Sequence, residues 1–189
     1  MRIRPEDYAI HNAMEDVADQ AIEQLLSEDG NACACLLCRE DIKSQMLNRM
    51  HHRCYSLIGG KPKDVSDVLE DLETSLFNKV MLECYKAVIR VRENPRHDQG
   101  RASLNNTTEG ILRFAVSEVL SNQKLILDRG DLSRLMAEAL NGLKPSYTTT
   151  HKGDALNRVA EMDPAHIAHV YAQIFSALEC LQTDDCQTS

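Results

Sequence analysis

The sequence contains no tryptophan, and aromatic residues make up only 4% of its 189 residues. A core with so few large rings must be built from Leu, Ile, Val, Met and Ala, which suits packed helices. No apolar run approaches the length needed to cross a bilayer, and the opening MRIRPEDYAI lacks the apolar stretch and cleavage site of a secretory signal. We therefore expect an all-α protein of the cytoplasm that makes no membrane contact.

Basic residues are fewer than acidic ones, with 21 Lys and Arg against 29 Asp and Glu and a net charge of -8. This balance argues against nucleic acid or an anionic membrane as a partner, although local basic clusters remain compatible with it. The sequence also lacks a Gly-rich phosphate loop, a nucleophile turn with a Ser-His-Asp set and an acidic pair within a catalytic motif. We therefore expect that it is not an enzyme.

Apolar residues recur at three- and four-residue steps and predict several amphipathic helices. In the first half these cover residues 10–27, a segment from about Arg39, and a long segment 65–93 that is one helix or two with a bend. Asn94-Pro95 stops the last of these, because proline disfavours helical geometry in the residue before it.

The second half shows the same kind of pattern with clearer punctuation. Asn106 and Glu109 occupy N-cap and N3 positions, and Asp131 is the predicted cap of the next helix. Residues 146–150 are β-prone and predict a short extended piece, and Asp163-Pro164 predicts the start of a last helix.

An internal repeat relates the halves. The segment 46-MLNRMHHRCYS-56 aligns with 139-ALNGLKPSYTT-149, and a helix of similar length precedes each one. Repeated units are usually built to pack on one another. Because the polar segment 96–108 lacks apolar periodicity, we place a boundary there and predict two domains, 1–98 and 103–189, packed as a pseudo-dimer.

Several motifs resemble the late competence development protein ComFB family. They are 12-NAMEDVADQAIEQLL-26, the Cys33-x-Cys35-x-x-Cys38 cluster, 47-LNRM-50 and 94-NPRH-97, and 139-ALNGLKPSYTTTHKG-153 is similar to the same family's Leu-Asn loop. The resemblance implies a tandem duplication whose second copy is divergent and lacks the cysteines. It also implies small helical, dimeric, zinc-containing proteins, some of them receptors for cyclic di-GMP. His51-His52 depart from the family's two prolines, and Cys54 stands where an aromatic residue is expected.

The cysteine cluster predicts a metal site. Seven cysteines without a secretory signal indicate metal ligands or free thiols rather than a disulfide framework. Cys33, Cys35 and Cys38 would supply three thiolates to a structural zinc at the start of a helix. The resemblance makes His97 the first choice for the fourth ligand, ahead of Cys54, with Cys84 and His51 as further alternatives. A catalytic zinc, a redox pair and an iron–sulfur cluster are weaker interpretations, since thiolate-rich sites are mostly structural and the spacing matches no usual cluster motif.

Basic and tyrosine side chains near the two Leu-Asn loops are candidates for binding a ligand with two phosphates, since arginine can hold phosphate bidentately and can also contact guanine. They are Arg49, Arg53, Tyr55, Lys61, Arg90, Lys144 and Tyr147. We expect a bacterial signalling protein that binds cyclic di-GMP and contacts an effector protein. A nucleotide-independent adaptor of a competence or motility system is the alternative, and pairing of two chains stays open.

Overall fold

The computed structural model describes residues 2–28, 33–59, 74–97 and 103–183. The first half contains β1 (Ile10–Asn12), α1 (Ala13–Glu28), α2 (Leu36–Leu47), β2 (Cys54–Ser56) and α3 (Thr74–Glu93). The second contains β3 (Asn105–Asn106), α4 (Thr107–Gln123), α5 (Arg129–Asn141), β4 (Tyr147–Thr148), α6 (His151–Glu161) and α7 (Pro164–Thr183). The fold is all-α, as predicted, with two short antiparallel strand pairs, β1 with β2 and β3 with β4.

Two helix starts agree with the sequence, whereas the helix predicted from residue 10 begins at Ala13 after strand β1, and the one predicted from about Arg39 begins at Leu36. Asn106 caps α4 by accepting a hydrogen bond from the backbone amide of Glu109, and α7 begins at Pro164. The predicted cap Asp131 is wrong, because α5 begins earlier and Asp128 accepts the hydrogen bond from the Asp131 amide. The part of the long predicted helix that precedes Thr74 lies outside the described residues.

Two apolar cores lie side by side. The first is built on α1, α2 and α3 around Met14, Ile22 and Met46, and the second on α4, α5 and α7 around Leu112, Leu135 and Ile174. Burial of these faces away from water supplies the main driving force for this packing.

Each core also takes side chains from the other half. Tyr147 of β4 is buried in the first core, whereas Ile3, Tyr8 and Cys54 are buried in the second. The N-terminal segment is held there by its backbone, because the Ile3 amide donates to the Ser117 hydroxyl at 2.9 Å. The two halves therefore complete one another's cores.

Two asparagines make matching contacts across the junction. Asn48 accepts a hydrogen bond from the Tyr147 amide at 2.5 Å and donates one to the Tyr147 carbonyl at 2.9 Å. Asn141 accepts from the Cys54 amide at 2.6 Å and donates to the Cys54 carbonyl at 3.0 Å. In the sequence alignment of the halves, Asn48 pairs with Asn141 and Cys54 with Tyr147, so the two contacts are equivalent. We call them the asparagine clasps.

Two further findings concern the whole of the described chain. None of its helices is both long and apolar enough to cross a membrane. Five of its cysteines are free, but Cys180 on α7 is disulfide-bonded, which departs from the expectation of metal ligands and free thiols alone.

Candidate metal centre and the cavity between the halves

Four predicted ligands come together at the start of α2. One ligand atom from each of Cys33, Cys35, Cys38 and His97 lies within 4.8 Å of the others. The Nδ1 atom of His97 is 3.7 Å from the sulfur of Cys33 and 3.5 Å from that of Cys35. Three sulfurs and one imidazole nitrogen are a donor set that structural zinc accepts in a tetrahedron. The site is compatible with zinc, which would tie the end of α3 to the start of α2.

The surroundings of the cluster stabilise the thiolate of Cys35 and destabilise that of Cys38. The backbone amide of Cys38, followed by the side chain of His97, lowers the pKa of Cys35 to about 6. Burial, together with the neighbouring thiols of Cys35 and Cys33, raises the pKa of Cys38 to about 12. A bound cation would compensate the repulsion among several thiolates, as it does in thiolate-rich metal sites generally.

The position of the cysteines at a helix end accounts for part of this behaviour. Cys35 is the N-cap residue of α2, and no side chain caps that end by hydrogen bonding. Unpaired amides in the first turn of a helix favour negative charge nearby. Arg39, in the first turn of α2, pairs with Glu23 on α1 at 2.7 Å.

The alternative fourth ligands lie elsewhere. Cys54 is 8% exposed and packs in the core of the second half, and Cys84 is fully buried in the first core. Burial raises the pKa of both thiols, so neither favours the thiolate that metal binding requires. His51 is exposed and does not belong to the cluster.

The residue before His97 connects the two halves. The Arg96 guanidinium donates to Asp41 on α2, with Nε 2.7 Å from one carboxylate oxygen. The same guanidinium donates to the Thr149 hydroxyl at 2.5 Å, and this hydroxyl donates to Asp41 at 2.5 Å. Asp41 is only 6% exposed, so its charge requires this pairing. We call this set the Arg96 junction.

A cavity of about 500 Å³ lies over the Arg96 junction. Its walls are α2 at Asp41, Ser44 and Gln45, the segment from Arg90 to Arg96, and Thr148–Thr150 of the second half. The volume falls in the range of small-molecule sites, although the lining is more polar than is usual for such sites. A cleft shared by the two halves was expected, but apart from Arg90 the residues that line this cavity were not predicted, because its walls are far apart along the chain.

Two of the predicted ligand residues lie at or near this cavity. Arg90 is exposed and lines it. Lys86, Arg49 and Arg90 together lower the pKa of Glu83, Lys86 having the largest effect, so these basic groups surround one carboxylate on α3. Acidic groups lie among these cations, because Glu83 is shared by them and Asp41 and Glu93 line the cavity beside Arg90 and Arg96.

The other predicted ligand residues do not line the cavity. Arg53 is exposed just before β2, and Tyr55 on β2 meets the ring of His11 edge-on with the ring centroids 5.6 Å apart. Lys144 is exposed in the loop before β4, and Lys61 lies outside the described residues.

Tyr147 is placed for packing rather than for ligand contact. It is 3% exposed, and its hydroxyl accepts from Asn12 at 3.0 Å and donates to Glu15 at 2.7 Å. At the equivalent place in the second half, Cys54 has no hydroxyl, and the hydroxyl of Tyr8 donates to Glu109 instead. A tyrosine hydroxyl thus donates to Glu15 in the first half and to Glu109 in the second. Tyr147 supplies the first hydroxyl and Tyr8 the second, and these tyrosines do not align.

His52 has a structural role, because its ring contacts the second half on both sides. Its Nδ1 donates to the Leu143 carbonyl at 3.0 Å, and its Nε2 accepts from the side-chain amide of Asn106 at 3.0 Å. Burial lowers its pKa, against the opposing effect of the Leu143 and Leu140 carbonyls. A neutral ring therefore bridges the halves.

The family comparison agrees with the resemblance over the second half of the chain. Residues 105–185 match the model of the family described as late competence development protein ComFB. This span runs from β3 through α7, the half expected to be the divergent copy; it supports the resemblance there and does not show a tandem duplication. No curated protein and no solved structure matches the chain.

Proposed function

We propose that the protein is a cytoplasmic, non-enzymatic regulatory protein of the ComFB type that binds cyclic di-GMP and passes the signal to an effector protein. The family match at residues 105–185 supports a competence-related regulatory role. The observation that carries the ligand is the polar cavity between the halves, with Arg90 at its wall and Arg49 sharing Glu83 with it. Arginines can bind both the phosphates and the guanines of this nucleotide.

We also infer that the halves arose by duplication of one unit and that zinc is a structural cofactor of the first. Both halves contain strand, helix, helix and strand in the same order, followed by one described helix in the first half and two in the second, and the asparagine clasps are equivalent under the alignment. Such a pseudo-dimer would place one cavity wall on each unit. The Cys33, Cys35, Cys38 and His97 cluster supports zinc through its chemistry and spacing.

Calorimetry with the zinc-loaded protein tests the nucleotide. We expect cyclic di-GMP to bind with micromolar affinity or better, and Arg90→Gln to weaken it about tenfold or more, since a charge-assisted contact contributes about 1.5–3 kcal/mol. Arg134→Gln is the matched control, because Arg134 is exposed on α5 outside the cavity. Absence of heat at tens of micromolar, with folded zinc-loaded protein, would contradict the proposal.

One observation favours the adaptor instead. Helix α6 exposes Leu156 at 61% and Val159 at 70%, and Met162 just after it is 70% exposed. Exposed apolar side chains on one short helix are a common feature of protein contact sites. If the nucleotide does not bind and Leu156→Ser with Val159→Ser abolishes the regulatory phenotype while the protein stays folded, the adaptor is the better assignment.

A further inference from the structure

The metal cluster and the cavity share one short piece of chain. Asn94 and Arg96 line the cavity, and the next residue, His97, is the fourth ligand of the cluster. Fixing the imidazole at a metal ion therefore restricts the backbone that presents Arg96 to the cavity.

Helix α2 joins the same two sites a second time. Cys38 belongs to the metal cluster, and Asp41, one turn later on the same helix, receives the Arg96 guanidinium. Residues three apart on a helix lie on one face, so the ligand sulfur and the carboxylate are neighbours. Residues 96 and 97 thus meet α2 at two adjacent points, one at the cysteine cluster and one through an ion pair.

The Arg96 junction extends into the second half through Thr149. The following residue, Thr150, caps α6 by accepting the Gly153 amide at 3.0 Å, and its own amide donates to the Thr148 hydroxyl at 3.3 Å. Gly153 packs so closely that a Cβ there would lie 2.1 Å from the Thr148 hydroxyl oxygen. A shift of Thr149 would be transmitted to the start of α6 because these groups have little free space.

We propose that metal at the cysteine cluster controls the cavity wall contributed by the second half, with Arg96 as the positioning residue. When metal holds His97, Arg96 is presented to Asp41 and Thr149, and the Thr148–Thr150 wall and the α6 cap are ordered. When metal is lost, Arg96 loses this anchor and the wall loosens. The coupling to α6 stands on its own, and its consequence for cyclic di-GMP affinity rests on the proposed function.

Hydrogen exchange on the full protein tests the coupling. The Gly153 and Asp154 amides, which bond to Thr150, are expected to exchange about tenfold faster or more after zinc is removed. The Asp131 amide, capped by Asp128 on α5, is the internal reference and is expected to change little. Equal exchange at Gly153 with and without zinc, in protein that stays folded, would overturn the proposal.

A second variant covers the case in which metal removal unfolds the first half. Thr149→Val keeps the side-chain shape and removes the hydroxyl, so the zinc-loaded variant is expected to bind one metal per chain while Gly153 and Asp154 exchange about as fast as in the metal-free protein. Thr183→Val, at the exposed end of α7, is the matched control. Unchanged exchange in zinc-loaded Thr149→Val would show that the junction does not transmit the metal state.

Titrations with cyclic di-GMP separate this inference from the function beneath it. Binding free energies are reciprocally linked, so if the metal tightens the nucleotide tenfold, the nucleotide must tighten zinc tenfold in a chelator competition. If zinc-loaded protein binds no cyclic di-GMP, the proposed function fails, and the exchange measurements still decide the coupling. If the protein binds cyclic di-GMP equally well with and without zinc, the proposed control of the cavity by metal is wrong, although cyclic di-GMP is then still the ligand.

Discussion

The asparagine clasps give a quantitative test of how the halves are joined. In Asn48→Ala, the buried Tyr147 amide loses its partner, whereas the Tyr147 carbonyl keeps a hydrogen bond from the Ser44 hydroxyl at 3.0 Å. An orphaned buried amide costs about 1–3 kcal/mol and a further lost hydrogen bond about 0.5–1.5 kcal/mol. We expect a loss of about 2–4 kcal/mol in the free energy of unfolding.

Asn141→Ala is the symmetric experiment. It removes both hydrogen bonds to the backbone of Cys54, which is also buried, so a loss of the same size is expected. Because each clasp joins the two cores, either substitution alone should destabilise the whole described fold rather than the half that carries it.

Urea unfolding of zinc-loaded protein measures these changes. The midpoint should fall at an unchanged slope if the substitutions alter stability and not compactness. Asn78→Ala, at an exposed position on α3, is the control and should change the free energy by less than about 0.5 kcal/mol. A loss below about 1 kcal/mol in either clasp variant, or separate transitions for the two halves, would refute this account of the junction.

Three further outcomes are expected. Burial lowers the pKa of His52 below its ordinary value near 6.5, so at lower pH the unfolded chain binds a proton that the native state resists. The free energy of unfolding should therefore fall as the pH drops below about 6.5, and it should fall less in His52→Gln. Urea midpoints measured against pH check this. Cys35→Ser should lower the zinc affinity strongly in a chelator competition and lower the melting temperature in zinc, with Cys84→Ser as a control that leaves the affinity unchanged. Tyr8→Phe should cost about 1–3 kcal/mol in thermal unfolding, because it leaves Glu109 without the tyrosine hydroxyl, and no loss would contradict the bridge to the second half.

The sequence predicts most of the described helices, because burial of one face imposes a spacing that can be read locally, but α6 was not among them. The Asn106 cap and the start at Pro164 follow from short-range hydrogen bonding and proline geometry. The cap of α5 was misjudged, since Asp128 and Asp131 are both good candidates and only the backbone geometry chooses between them. Such boundaries depend on where the preceding loop enters the helix.

Contacts between the halves are harder to predict, because they join residues far apart in the sequence. Tyr147 resembles a ligand residue in a loop, yet it belongs to the core of the first half. Asp41 has no local signal beyond its position one turn after Cys38, and its partners Arg96 and Thr149 are distant in the chain. The metal cluster was predictable because three of its ligands are close in sequence and the resemblance supplied His97.

The cysteines at the start of α2 and the acidic residues at the start of α5 have a common physical cause. Counting back from the Leu-Asn pairs, Cys35 corresponds to Asp128, and Cys38 to Asp131. In the second half the carboxylate of Asp128 caps the helix with a hydrogen bond at 2.8 Å, whereas no side-chain hydrogen bond caps α2. Negative charge therefore lies at both helix ends, as carboxylate in one and as thiolate in the other.

A carboxylate cap stabilises its own helix by about 1 kcal/mol and reaches no further than the first turn. A metal ion can also draw in a ligand from the far end of another helix, and in the first half that ligand is His97. Acidic residues in place of the cysteines would thus cap the start of α2, but they would not hold His97. Arg96 would then lose its anchor, and with it the contact to Thr149. A cluster of thiols in one half only is the arrangement expected if a metal ion there serves the junction between the halves rather than the helix end alone.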